Sequence, residues 1–308
     1  FPPFSKSDPP MRIATTTTSD SLITQIQNLT TRQALLQNQV STGESFTNPS
    51  ENPDGMAQLL NLDNEQSKIT QYQSNANRVL SVSQASYAAL TQLKTISDRA
   101  GELVTLGQGT GGASSNTAYA QEVNQMIESA VQTANSTFGN NYLFSGTAVT
   151  TAPITVTRDS AGNVTSVAYA GNNSQSTIPI SDTSSIANGT SSTTNNGIQS
   201  FITNLISLRD ALNTNSSSAL AATQTSLVSS EDNLVDSLSS QGAIQTRIQA
   251  TQTQQTSRSQ QIQQQQSDIS STDMATAVVK LSQTSTAYQA ALASASKIMQ
   301  TSLLDYLS

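Results

Sequence analysis

Apolar side chains recur in alternating steps of four and three near both ends of this chain. The first series is Leu22, Ile26, Leu29, Leu36 and Val40, with Gln33 at the one polar step. The second is Met274, Val278, Leu281, Tyr288, Leu292, Ala295, Met299 and Tyr306, with Ser285 and Ser302 at its polar steps. Such spacing holds one stripe toward a partner helix over many turns, which is a heptad seam. A seam must be covered, and two seams so far apart in sequence cover each other only if the chain folds back on itself. The expected fold is therefore mainly α, a nested long-helix bundle or coiled-coil rod with both termini at one end. The alternative is that each stripe is the core face of an ordinary globular helix.

Composition favours narrow seams over a broad core. Hydrophobic residues are 35% and charged residues 11% of the chain, against about 45–50% and about 25% in ordinary domains. The absence of Cys and His removes disulfides, thiol nucleophiles, His-based triads and most zinc sites. No enzyme activity, cofactor or metal is expected. A net charge of −7 with 13 scattered basic residues offers no stripe for nucleic acid. No apolar run approaches the roughly 18 residues of a membrane span, and the start lacks a basic-then-apolar signal pattern. GQGTGG, Gly107 to Gly112, has no strand before it and reads as a loop between helices. Asp268 and Asp273 read as helix-start chemistry beside a Thr272 cap, not as a metal site.

Residues 1–10, FPPFSKSDPP, read as an added scar or a disordered leader. Residues 11–52 and 265–308 form a discontinuous terminal-helix inner domain, and 53–148 with 198–264 a discontinuous helical rod domain. The long helix of the rod starts with Asn52 as N-cap, Pro53 at the first helical position and Asp54 favourable to the dipole. Between the rod's halves, 149–197 is a small β-rich insert at the tip: ITVTR, VTSVAYA and STIPI alternate with period two, and Pro179 marks an edge strand. SDTSSIANGTSSTTNNG, Ser181 to Gly197, reads as a low-complexity linker. Tyr142-Leu143-Phe144 reads as a short strand. The stretch STGESFTNPSENPDG, Ser41 to Gly55, interrupts the helices with two prolines and two glycines, far more than a helix-to-helix turn requires. Ser41, Gly43, Pro49, Pro53 and Gly55 are its hinge or spoke residues.

Four stretches in order carry a resemblance: MRIATTTT (Met11 to Thr18), QVSTGESFTNPSENPDGMAQL (Gln39 to Leu59), NYLFSGT (Asn141 to Thr147) and SDISSTDMATAVVKLSQTSTAYQAALASASKIMQTSLLDYLS (Ser267 to Ser308). With the nested order, they resemble the bacterial flagellin-like axial proteins and, within them, hook-associated junction proteins of the FlgL type. The resemblance implies an extracellular structural component of the flagellum, exported by the type III route without a cleaved signal peptide. Its partners would be other copies of itself, the preceding hook-associated protein, flagellin, and a cytoplasmic export chaperone on the C-terminal helix. The assembly interface would comprise Leu22, Ile26, Leu29, Leu36 and Val40 with Val278, Leu281, Tyr288, Leu292, Leu303, Leu304 and Tyr306. Helices with so few charges are marginal alone, so the terminal pair is expected to be partly disordered in the monomer and to order on assembly. Flagellin itself is the close alternative, and a secreted coiled-coil adhesin or tip protein a more distant one.

Overall fold

A computed structural model describes residues 12–109 and 112–307, with side chains over 20–109 and 112–298; residues 1–10 lie outside the described residues. The protein is mainly α. Its helices are α1 (Arg12–Thr42), α2 (Pro53–Gly107), α3 (Gly112–Ala134), α4 (Ser192–Asn213), α5 (Ser217–Ser270) and α6 (Met274–Leu307). Six short strands form three antiparallel pairs: β1 (Thr137–Phe138) with β2 (Asn141–Tyr142), β3 (Ile154–Arg158) with β4 (Val164–Tyr169), and β5 (Ser176–Pro179) with β6 (Ser185–Asn188). The chain divides into two compact units, one of residues up to 65 and from 260 onward, the other of residues 66–259.

In the first unit α1 packs on α6. The last residues of α1 meet the residues before α6, where Glu44 and Ser271 form an antiparallel bridge. The two helices therefore run antiparallel from that junction. As expected, Asn52 caps α2: its Oδ1 accepts from the Gly55 amide at 2.9 Å, and Pro53 opens the helix, where a missing N–H costs nothing.

The second unit has the larger core. Leu90, Leu93 and Leu103 of α2, Val123 and Ile127 of α3, and Phe201, Leu205 and Leu208 of α4 are wholly buried, or nearly so, in one cluster. Ile154 of β3 and Val164 of β4 join it, so this hairpin packs into the helical core. A smaller cluster sets Ile180 and Ile186, from the β5–β6 hairpin, against Ala76 and Val79 of α2 and Ile248 of α5. Polar contacts fasten the same hairpin: Tyr72 Oη donates to Asp182 at 2.9 Å, and Asn75 Nδ2 to the Pro179 carbonyl at 2.9 Å. The run Ser181 to Gly197, expected to be a linker, is thus ordered. It contains β6 and the first turn of α4, capped by Ser191 Oγ, which accepts from the Thr194 amide at 3.1 Å.

Along α5 the buried positions step three and four: Leu220, Thr223, Leu227, Ser230, Leu234, Ser237 and Gln241. Four of the seven carry a hydroxyl or amide, which is how a chain with 35% hydrophobic residues maintains so long a seam. Most of these groups are paired: Ser83 Oγ donates to Gln241 Oε1 at 2.8 Å, Asn204 Nδ2 to Ser230 Oγ at 2.8 Å, and Ser237 Oγ to Thr194 Oγ1 at 2.9 Å. Ser97 of α2 is different, since its hydroxyl is buried and unpartnered. An unmade buried hydrogen bond costs about 1–3 kcal/mol, and alanine is also the better helix former. Ser97→Ala is expected to stabilise the unit by about 1 kcal/mol, read as a melting temperature higher by roughly 2–4 °C.

Candidate assembly surfaces

The link between α1 and α2 is shorter than the sequence implied. Ser41 lies in the last turn of α1, while Pro53 and Gly55 belong to α2. The irregular segment is residues 43–52, which leaves Gly43 and Pro49 as the only two of the five hinge candidates within it. Gly43 ends α1 in the left-handed region, φ 75°, and its amide returns to the Gln39 carbonyl at 2.9 Å. That conformation suits glycine, which has no Cβ to clash. The segment is tied to its neighbour by backbone bonds, Ser45 N to Ser270 O at 2.6 Å and Thr272 N to Gly43 O at 2.9 Å.

Two local features make the link rigid. A turn at Thr47–Glu51 closes on the Glu51 carboxylate, which accepts from Asn48 Nδ2 at 3.1 Å and the Thr47 amide at 3.0 Å. These bonds hold its carboxyl below the usual range. Next to it, the buried Phe46 ring sits so close to Gly55 that a Cβ there would lie 2.8 Å from the ring. Gly55 is therefore a packing glycine inside a helix, not a hinge.

The start of α6 also differs from expectation. The capping side chain is Asp273, not Thr272, whose amide is spent on Gly43. Asp273 Oδ1 accepts from the Ala275 and Thr276 amides at 3.0 and 3.2 Å, and Oδ2 from Thr276 Oγ1 at 2.7 Å. The Thr276 hydroxyl, then the two amides, hold the carboxyl below its ordinary 3.8. A depressed value means the cap's contribution is complete above pH 3.8 and is lost as pH falls through the lower folded value. Amide protection at Ala275 and Thr276 is expected to fall on that acid limb, and Asp273→Asn to abolish the pH response while keeping an acceptor for the helix.

Burial along α1 follows the expected seam. Leu36 is 4% exposed, and Leu22, Ile26, Leu29, Gln33 and Val40 are half-buried among exposed neighbours. On α6 the stripe is turned. Its covered positions are Ala277, Leu281, Thr284, Ser285, Tyr288, Ala291, Ala295 and Ile298, rotated by roughly 50° from the stripe expected, at about 100° per residue. Leu281, Ser285, Tyr288 and Ala295 belong to both, whereas Val278 and Leu292 are exposed. The cause is size: the seam against α1 uses mainly small residues, which let helices approach closely, and the larger Met274, Val278, Val279 and Leu292 face away from it, exposed. Leu303, Leu304 and Tyr306 lie on α6, but their side chains are outside the described ones.

The second unit has a groove that no sequence motif announced as a site, although NYLFSGT forms part of its wall. It holds about 230 Å³ between Arg78 and Val82 of α2, the β1–β2 turn from Phe138 to Tyr142, and Gly189 after β6. Gly139 turns that hairpin at φ 61°. Its parts come from three distant segments, so only folding brings them together. Among the described residues, no helix is long and apolar enough to cross a membrane.

Residues 13–149 match the bacterial flagellin N-terminal helical region, and residues 225–307 the bacterial flagellin C-terminal helical region. Among solved structures, the chain is similar to a flagellar hook-associated protein from Vibrio parahaemolyticus, at 16% identity and TM-score 0.58, covering 72% of this chain and all of that one. It is also similar to FlgL of Bacillus cereus (15%, TM-score 0.57, 66% of this chain and 97% of that one) and FlgL of Xanthomonas campestris (16%, TM-score 0.53, 67% and 99%). At these identities the likeness is one of fold. No curated protein sequence matches the chain.

Proposed function

The chain belongs to the flagellin-like family of bacterial flagellar proteins, and from that premise we propose that it is the hook–filament junction adaptor. It assembles as a ring or layer on the preceding hook-associated protein and accepts flagellin. The observation that carries this reading is the pairing of terminal helices that leave large apolar side chains uncovered: Ile23 on α1, and Met274, Val278, Val279 and Leu292 on α6. Exposed apolar surface that the chain does not cover itself marks a place for a neighbour. The fold shared with hook-associated proteins and FlgL favours the junction over the filament.

The interface of this reading comprises Leu22, Ile26, Leu29, Leu36 and Val40 with Val278, Leu281, Tyr288, Leu292, Leu303, Leu304 and Tyr306. Within it the residues divide by task. Leu36 and Leu281 join α1 to α6, and Val278 and Leu292 reach the next subunit. Residues 43–52, pinned to Ser270–Thr272, fix where the terminal pair begins. The location is extracellular, on the flagellum, after type III export without a cleaved signal peptide, and a cytoplasmic chaperone holds α6 before export.

Flagellin is the second reading, because the matched terminal regions are those of flagellin. Electron microscopy of a strain lacking the gene, with an assay of flagellin in the medium, separates the two. Bare hooks with released flagellin are expected of a junction adaptor. Complete junctions with no filament protein made at all identify the chain as flagellin and overturn the adaptor reading.

A further inference from the structure

We propose that the groove of the second unit receives the outward face of α5 from a second copy of the chain, Arg78 meeting Asp232 and Asp236 while Val228 and Val235 cover Phe138. The proposal rests on the layer reading above and supplies it with a contact remote from the terminal helices.

The groove is incomplete in a single chain. Phe138 on its rim is 42% exposed, a large aromatic surface left to water. Arg78 makes no ion pair or hydrogen bond among the described residues. That sets it apart from Arg99, Arg158 and Arg209, each of which pairs with a carboxylate.

The complementary surface lies on α5, on the side away from its buried stripe. Val228 and Val235 are exposed and seven residues apart. With Asp232 they lie within roughly 60° of one another around the helix, and Asp236 borders them. Neither Asp232 nor Asp236 has an ion-pair partner among the described residues, whereas their neighbour Glu231 is held by Lys94 at 3.0 Å. Like charges four residues apart on a helix repel. A guanidinium placed between them removes that repulsion and gains two charge-assisted bonds.

Each surface supplies what the other lacks: a cation beside an open aromatic pocket on one, two anions flanked by compact apolar side chains on the other. Val235 is small enough to enter a groove of about 230 Å³. Each chain carries both surfaces, so the contact repeats from copy to copy, as a layer of identical subunits requires.

The chain has no cysteine, so the contact can be read by cross-linking full-length variants. Asn140→Cys on the groove turn and Ser239→Cys beside the α5 stripe are mixed, on hooks and in concentrated solution, with a short bismaleimide. The expected product is the mixed pair in at least fivefold excess over either same-variant pair. Arg78→Glu should cut its yield at least fivefold, and adding Asp232→Arg and Asp236→Arg should restore at least half. Absence of the mixed pair in both settings overturns the proposal. So does a yield insensitive to Arg78→Glu, or a loss that the reversed charges fail to rescue. If the unsubstituted chain fails to bind hooks while the mixed pair still forms in solution, the junction reading fails and the contact stands.

Discussion

Leu36→Asp is expected to unpair α1 from α6 and abolish incorporation at the hook tip, while the second unit stays folded. Leu36 is the one described side chain of α1 that is buried, and the side chains of the opposing stripe on α6 are mostly alanine, threonine and other uncharged residues. A carboxylate set there loses its water, a cost of several kcal/mol, on top of about 2 kcal/mol of leucine burial. The pair has little to set against that, since its other seam positions are mostly half-buried. Hydrogen exchange should show faster exchange over 20–42 and 274–298 with α3 and α4 unchanged. Leu292→Asp is the informative companion. At 44% exposure it should leave the α1–α6 pair intact and still prevent incorporation. Normal junctions with Leu292→Asp remove that residue from the interface, and normal junctions with Leu36→Asp overturn the role given to the terminal pair.

Phe201→Ala should have the opposite reach, destabilising the second unit by about 3–5 kcal/mol. The ring has no exposed surface and belongs to a cluster to which α2, α3, α4, α5 and the β3–β4 hairpin all contribute. Walls drawn from so many elements cannot collapse together into the space left behind, so most of the cavity persists. In a unit of this size the melting temperature should fall by roughly 6–20 °C. Val228→Ala, on the exposed side of α5, should change it little. A loss below about 1 kcal/mol for Phe201→Ala would mean that the core is not packed around this ring.

The parts of the fold that were legible in the sequence are those built from large apolar residues at regular spacing. α1 shows this well: its seam from Leu22 to Val40 is covered at each expected position, the polar Gln33 included. The α6 stripe was legible only in part, for the converse reason. The covered positions outside the expected series include Ala277, Thr284 and Ala291, which carry little hydrophobic signal, so Val278 and Leu292 drew the reading toward the uncovered side. β6 was missed because Ser185–Asn188 has a single large apolar residue, Ile186, whose burial depends on Ala76 and Val79 more than a hundred positions earlier. At the link, prolines and glycines announced a break but not its limits. Pro53 serves as a helix start and Gly55 makes room for Phe46, both uses that a residue count cannot tell from a hinge. The groove beside Arg78 had even less to announce it, since its walls come from three segments far apart in sequence.

The serine, threonine and glutamine positions along the α5 seam also govern how the molecule responds to temperature. Heat capacity rises on unfolding because apolar surface becomes hydrated, and exposed polar surface lowers it, for a usual net of about 12–15 cal/mol/K per residue. A seam in which Thr223, Ser230 and Ser237 alternate with Leu220, Leu227 and Leu234 exposes less of the first and more of the second. Unfolding should therefore have a heat-capacity increment per residue below that range and a flatter curve of free energy against temperature. A flat curve keeps the chain folded over a wide span of temperatures without requiring a large maximum stability at any one of them.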